Sequence, residues 1–185
     1  MKTYFSGILV SAVLLVCVIC SAPMLAGCSR GTVADPFHDF SGDISAQCSL
    51  NVQGATSSIT FSRTADEIKA EFCEPTTLKG ITLGKKDGVF YIAYDGLSVD
   101  IDESAALVLN LCSEAFAPHY SEMTVIRSED RGGEKLTVIE SGGFIYLFSK
   151  DGAPLSVSGS FDGKQFELTL DSIAPIVAEN GENEK

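Results

Sequence analysis

The chain reads as a mainly β (α+β) protein: a curved, incompletely closed antiparallel sheet, a half-barrel, with one main helix covering part of its concave face. Three observations predict this. From Asp39 to Leu170 apolar residues recur at every second position in short runs separated by Gly- and Asp-containing turns, the mark of half-buried antiparallel strands. Only one segment, residues 103–116, changes to helical spacing. About ten strands in one sheet must also curl rather than lie flat.

Taken in order, the chain opens with Lys2, an apolar run from Ile8 to Cys20 and the small residues Ala26 and Gly27. A charged start, a short apolar stretch and small residues before a cut make a secretory signal peptide over residues 1–27. Leu25-Ala26-Gly27-Cys28 resembles the bacterial lipobox. The resemblance implies cleavage after Gly27 and a diacylglyceryl group on the Cys28 thiol, which makes Cys28 the lipidated N-terminus and palmitate a natural further acyl group. Ordinary cleavage near Ala22 or Ala26 would instead leave a free thiol. The apolar run is shorter than the roughly 20 residues of a membrane-spanning helix, so an uncleaved anchor is the remaining alternative. Two acyl chains hold a protein stably, at about 0.8 kcal/mol per buried CH2. The expected protein is thus extracytoplasmic and lipid-anchored to the cell membrane, with residues 28–38 as lipidated cysteine and tether, broken by Gly31 and Pro36.

The domain is expected over 39–174. Ile44, Ala46, Cys48, Leu50 and Val52 alternate with polar residues until Gly54, and Ile59 and Phe61 follow in the same period. A turn at Ala65-Asp66 leads to Ile68, Ala70 and Phe72, and Pro75 ends that strand. A fourth strand is expected from Leu78 to Leu83, then a hairpin at Lys85-Lys86-Asp87-Gly88, then Val89–Tyr94 and Leu97–Ile101 around Asp95-Gly96. The helix 103–116 would be capped by Asp102 or Ser104 and stopped before Pro118. Strands resume at Met123–Arg127, Lys135–Ile139, Phe144–Phe148, Leu155–Gly159 and Phe166–Leu170, with glycine pairs or Asp-Gly as turns and Glu129-Asp130-Arg131 as loop. Residues 175–185 are a charged tail without the composition of a packed element.

Charge and chemistry narrow the function. The chain carries 13 basic and 25 acidic residues, net −12, and loss of the signal removes one lysine more. Such a surface does not suit nucleic acid, nor electrostatic adhesion to anionic lipid. Cys48, Cys73 and Cys112 show no CxxC spacing and read as small buried apolar groups; one disulfide with a free thiol is the alternative. His38 and His119, the only histidines, lie in the tether and just past the helix and read as surface or turn residues. No nucleophile elbow, zinc motif or phosphate-cradling loop occurs. Asp95, Asp100, Asp102 and Glu103 cluster near the helix start, without the spacing of a calcium loop. No catalytic residue, metal site or cofactor is expected.

Two strands, Val89–Tyr94 and Phe144–Phe148, are apolar on both faces and need cover on both sides. Either the helix supplies that cover, or the face forms an apolar groove for an acyl chain or lipid, or the helix acts as a lid. The groove would be lined by Phe90, Ile92 and Tyr94, by Phe144, Tyr146 and Phe148, and by Leu109, Cys112 and Phe116 from the helix. From Phe72 the chain reads Phe-x-x-Pro-x-x-Leu-Lys-Gly-Ile-Thr, a Gly turn, then a strand ending in Tyr94-Asp95-Gly96-Leu97. This resembles the lipoprotein-carrier (LolA/LolB-like) superfamily, which implies a curved open sheet, a helical lid and an apolar cavity for acyl chains. The expectation is a non-enzymatic lipoprotein that binds an apolar ligand, or alternatively an envelope scaffold that holds a protein partner.

Overall fold

The computed structural model describes residues 37–176; the signal segment, Cys28 and the tail from 177 lie outside the described residues. The strands are β1 (Ile44–Val52), β2 (Ala55–Arg63), β3 (Glu67–Glu74), β4 (Thr82–Lys86), β5 (Val89–Tyr94), β6 (Leu97–Asp100), β7 (Thr124–Arg131), β8 (Glu134–Ser141), β9 (Phe144–Phe148), β10 (Pro154–Phe161) and β11 (Lys164–Pro175). They form one antiparallel sheet in the order β6-β5-β4-β3-β2-β1-β11-β10-β9-β8-β7. Two meanders are thus stitched together where β1 pairs with β11. β6 and β7 are left as the outer strands among the described residues, so the sheet is not closed into a barrel.

Register carries the period-two pattern across the whole sheet. Cys48 pairs with Ile59, Ile59 with Phe72, Phe61 with Ala70, Ala70 with Leu83 and Leu83 with Ile92. In the other direction Leu50 pairs with Leu168, Leu168 with Val157, Val157 with Tyr146 and Tyr146 with Ile139. Residues directly opposite share a face, so one apolar inner face runs through both meanders.

The helix differs from expectation at its start. Glu103–Ala105 forms a 3-10 turn and the α-helix runs only over Leu107–Ala115. Neither Asp102 nor Ala106 makes a side-chain cap hydrogen bond; the first turn is set by the backbone, Ala105 N–H and Ala106 N–H donating to the carbonyls of Asp102 and Glu103. Burial explains why the segment still ends up folded: Ala106, Leu109, Leu111, Cys112, Ala115 and Phe116 are all buried, and the helix lies over β3 and β4.

Three further boundaries move. The fourth strand begins at Thr82 rather than Leu78, because the N–H groups of Leu78 and Lys79 turn back to the Pro75 carbonyl and Gly80 N–H bonds to Phe72 O. Glu129-Asp130-Arg131 is strand, not loop: β7 runs on to Arg131, and the Asp130 carboxylate accepts the Gly133 N–H at 3.0 Å to set the turn. Finally Phe37, placed within the tether by its broken surroundings, is fully buried with Phe40 beside it in a 3-10 turn. Phe37 thus belongs to the packed domain.

Candidate functional site

The inner face divides into a filled centre and open margins, at β5 and β6 on one side and, on the other, at β7, where Val125 is 66 % exposed. At the centre the chain supplies its own cover. Phe116 stacks on Phe61 (centroids 4.7 Å, planes 8° apart), Phe37 meets Tyr146 and Phe148 edge-on at 4.9 and 5.4 Å, and Phe40 contacts Phe116, Tyr146 and Phe148. Arg63 at the end of β2 fastens this cover. Its guanidinium donates to the carbonyls of Phe116 (2.8 Å), Phe40 (2.5 Å) and Gly42 (3.2 Å). The helix C-terminus and the 38–40 turn are thereby tied to one side chain. The Tyr146 hydroxyl adds a bond to Ala115 O at 3.2 Å.

Six of the nine residues expected to line a groove belong to this filled region. Leu109, Cys112, Phe116, Tyr146 and Phe148 are at most 1 % exposed, and Phe144 packs edge-on against Phe166. The other three, on β5, lead outward: Phe90 is buried, Ile92 half-buried and Tyr94 58 % exposed. Beside Phe90 a cleft of about 250 Å³ opens, lined by Ile68, Phe90, Leu109 and Phe161 and by the charged Lys85, Glu103 and Glu114. The Lys85 ammonium sits 4.7 Å from the Phe90 ring centroid, a cation–π contact.

Beyond the cleft lies the margin. Tyr94 pairs with Leu97 and Ile92 with Val99, which puts these side chains on the inner face. Leu97 is 75 % and Val99 63 % exposed. Neither residue stood out in the sequence as a site residue. The available signal was position: a short strand followed at once by the helix segment ends a meander and leaves an edge. Asp95, Asp100, Asp102 and Glu103 are exposed around this margin. Among the described residues no group of His, Cys, Asp and Glu converges as metal ligands.

On the outer face Tyr91 lies over Gly84, where a Cβ would collide with the ring, and its hydroxyl donates to Glu67 Oε1 at 2.8 Å. Burial, and then the Glu67 carboxylate, push the Tyr91 phenol up to about 12.

The described cysteines form no disulfide. Cys48 and Cys112 are buried, Cys73 half-buried with its Sγ 3.5 Å from Thr60 Oγ1. Burial raises the Cys48 thiol to about 12 and the Cys112 thiol well above its ordinary value, so neither supplies a thiolate nucleophile near neutral pH. His119 is exposed, with Glu114 3.9 Å away; its carbonyl accepts the Ser141 hydroxyl at 2.9 Å and its ring covers Gly142. His38 borders a dent of about 100 Å³ beside Ile44 and Pro175. No described helix is long and apolar enough to cross a membrane.

No family model matches the chain, and no curated protein matches it. Among solved structures it is similar to an uncharacterized conserved protein from Thermus thermophilus (11 % identity, 75 % of this chain and 81 % of that one, TM-score 0.43). It is also similar to the lipoprotein LppX of Mycobacterium tuberculosis (10 %, 72 % and 87 %, TM-score 0.40) and to a LolA superfamily protein from Nitrosomonas europaea (10 %, 73 % and 86 %, TM-score 0.38). At TM-scores this low the likenesses carry no weight for function, which must be sought in the chain's own geometry.

Proposed function

We infer that this chain is a lipid-anchored, extracytoplasmic, non-catalytic module that holds an envelope protein through the apolar margin of its sheet at β5 and β6. The observation that carries this reading is the contrast on one face: the centre is filled by the helix and by Phe37 and Phe40, while Tyr94, Leu97 and Val99 stand in solvent. Clustered exposed apolar side chains mark interaction surfaces. Their acidic surroundings favour a protein over an anionic bilayer. The absence of a catalytic role is supported by the raised buried thiols and by the exposed, loosely paired His119.

The test is a photo-crosslinking amino acid at Leu97 in the full chain in living cells, with Glu167, exposed on β11, as control. A discrete protein adduct from position 97 only is expected. Adducts of equal yield at both positions would sink the reading.

A second reading, an acyl chain or lipid bound on the inner face, is favoured by one feature: the cleft of about 250 Å³ beside Phe90 and Leu109. Native mass spectrometry of the protein extracted from membranes tests it. An extractable mass excess beyond that of the anchor itself supports bound lipid, and a clean mass refutes it.

A further inference from the structure

We propose that β6 is a docking edge for an extended strand of a basic partner protein, one that alternates apolar residues with lysine or arginine. This deepens the interaction-module reading and rests on it.

The backbone makes the first part of the case. Ile101 N–H donates to Phe90 O at 2.9 Å. In the alternating antiparallel pattern, Leu97 and Val99 then direct their backbone groups to β5, and Ser98 and Asp100 direct theirs away from the sheet. Among the described residues no strand pairs with that side of β6. All four β6 residues are exposed.

Exposed edges are ordinarily blunted with lysine, proline, a bulge or charged side chains. The opposite edge follows that rule. β7 has a register irregularity between Val125 and Arg127, and it carries Arg127, Glu129 and Asp130. β6 is short, four residues, and carries one charge, Asp100, on the outer face, but its register is regular and it has neither lysine nor proline. Its inner side chains, Leu97 and Val99, continue an apolar row that an added strand would extend.

Charge selects the occupant. Asp95, Asp100, Asp102 and Glu103 surround the edge; of the lysines in this half of the sheet, Lys69, Lys85 and Lys86 lie on β3 and β4, and Lys79 alone lies in the turn whose Gly80 adjoins the Tyr94 ring. A second copy of this chain would set these acids against themselves at net charge −12 each. A strand with apolar residues toward Leu97 and Val99 and cations toward Asp100 satisfies both faces.

The test uses the full chain in a non-ionic detergent and a labelled, N-acetylated peptide that alternates valine and lysine. A valine–glutamate peptide is the control. Saturable binding of the first peptide, at least tenfold tighter than the second, is expected, weakening severalfold between 50 and 300 mM NaCl. Ser98→Pro removes an outward N–H without touching the β5 ladder and should weaken binding at least fivefold, while Ser98→Thr binds as the natural chain does. Should Ser98→Pro prove poorly folded, Asp100→Asn with Asp95→Asn must give the same loss.

Equal binding of both peptides, or unchanged binding by Ser98→Pro, overturns strand docking. So does a dimer of the protein alone that Ser98→Pro abolishes, or peptide binding seen only after residues 177–185 are deleted. If no peptide binds yet Leu97 still crosslinks a protein in cells, strand docking fails and the module reading stands. If Leu97 crosslinks nothing, the module reading fails as well.

Discussion

Gly84→Ala should destabilise the protein through one identifiable collision. Gly84 is buried on β4, opposite Tyr91 of β5, and a Cβ there would enter the Tyr91 ring. The ring must swing away, which also separates its hydroxyl from Glu67 Oε1, now at 2.8 Å. Overpacking costs about 1–3 kcal/mol, and a half-exposed hydrogen bond adds about 1 kcal/mol. A loss of about 2–4 kcal/mol corresponds to a fall in Tm on the order of 5–15 °C for a domain of this size. Thermal unfolding of a double-mutant cycle isolates the cause. In a Tyr91→Ala background the same substitution should cost less than about 0.5 kcal/mol, leaving a coupling of about 2 kcal/mol. An equal cost in both backgrounds would refute the account. The site bears on function because this outer-face contact locks together the two strands whose inner faces carry Lys85, Phe90 and Ile92.

Phe37→Ala should cost about 3–5 kcal/mol, read by urea unfolding; a tether residue would cost next to nothing. In native protein at pH 7.5 a maleimide should reach Cys73 slowly, and Cys48 and Cys112 only on unfolding, as mass spectrometry of labelled peptides would report. Alkali should destabilise the fold. Cys48 and Tyr91 both have folded-state values raised to about 12, from 9.0 and 10.0. Their contribution is therefore complete below pH 9 and is lost as pH climbs from 9 to 12. Unfolding free energy measured against pH should fall over that window, and Cys48→Ala should flatten its lower part.

Much of the fold was legible because alternation is a local property. Ile44 to Val52 declares a half-buried strand without reference to anything else, and Asp87-Gly88, Asp95-Gly96 and Asp162-Gly163 declare their hairpins through the positive φ they adopt. What was not legible depends on contacts distant in sequence. Phe37 has no periodic neighbour, and its burial arises only because Tyr146 and Phe148 come to meet it. Gly84 looks like the end of a strand until Tyr91 is seen lying over it. Val89–Tyr94 and Phe144–Phe148 read as needing cover on both faces, but only their inner faces receive it: on the outer face Val89 is 48 % and Ile145 41 % exposed. Which cover each receives is set by the position of its strand: β9 lies under Phe37 and Phe40, while β5 lies next to the outer strand and keeps Tyr94 in water.

Whether the filled centre ever admits a lipid turns on Arg63. Swinging the helix away would expose Leu109, Leu111, Cys112 and Phe116, at roughly 1.5–3 kcal/mol each, so about 6–12 kcal/mol in all. A roughly 16-carbon chain buried at about 0.8 kcal/mol per CH2 contributes about 12 kcal/mol, enough to replace them but with little surplus. The backbone bonds from Arg63 to Phe116 and Phe40 therefore decide the balance, and Arg63→Met removes them. Charge-assisted bonds of this kind are worth about 1.5–3 kcal/mol each, so the variant, which gives up two, should lose about 3–6 kcal/mol of stability, seen in urea unfolding. If the helix is a lid, Arg63→Met should also bind an acyl probe or a hydrophobic dye at least tenfold more strongly than the natural chain. If the helix is a fixed part of the core, stability falls and acyl binding does not rise. The second outcome is the one expected here, because Tyr94, Leu97 and Val99 offer an apolar surface that requires no movement of the helix.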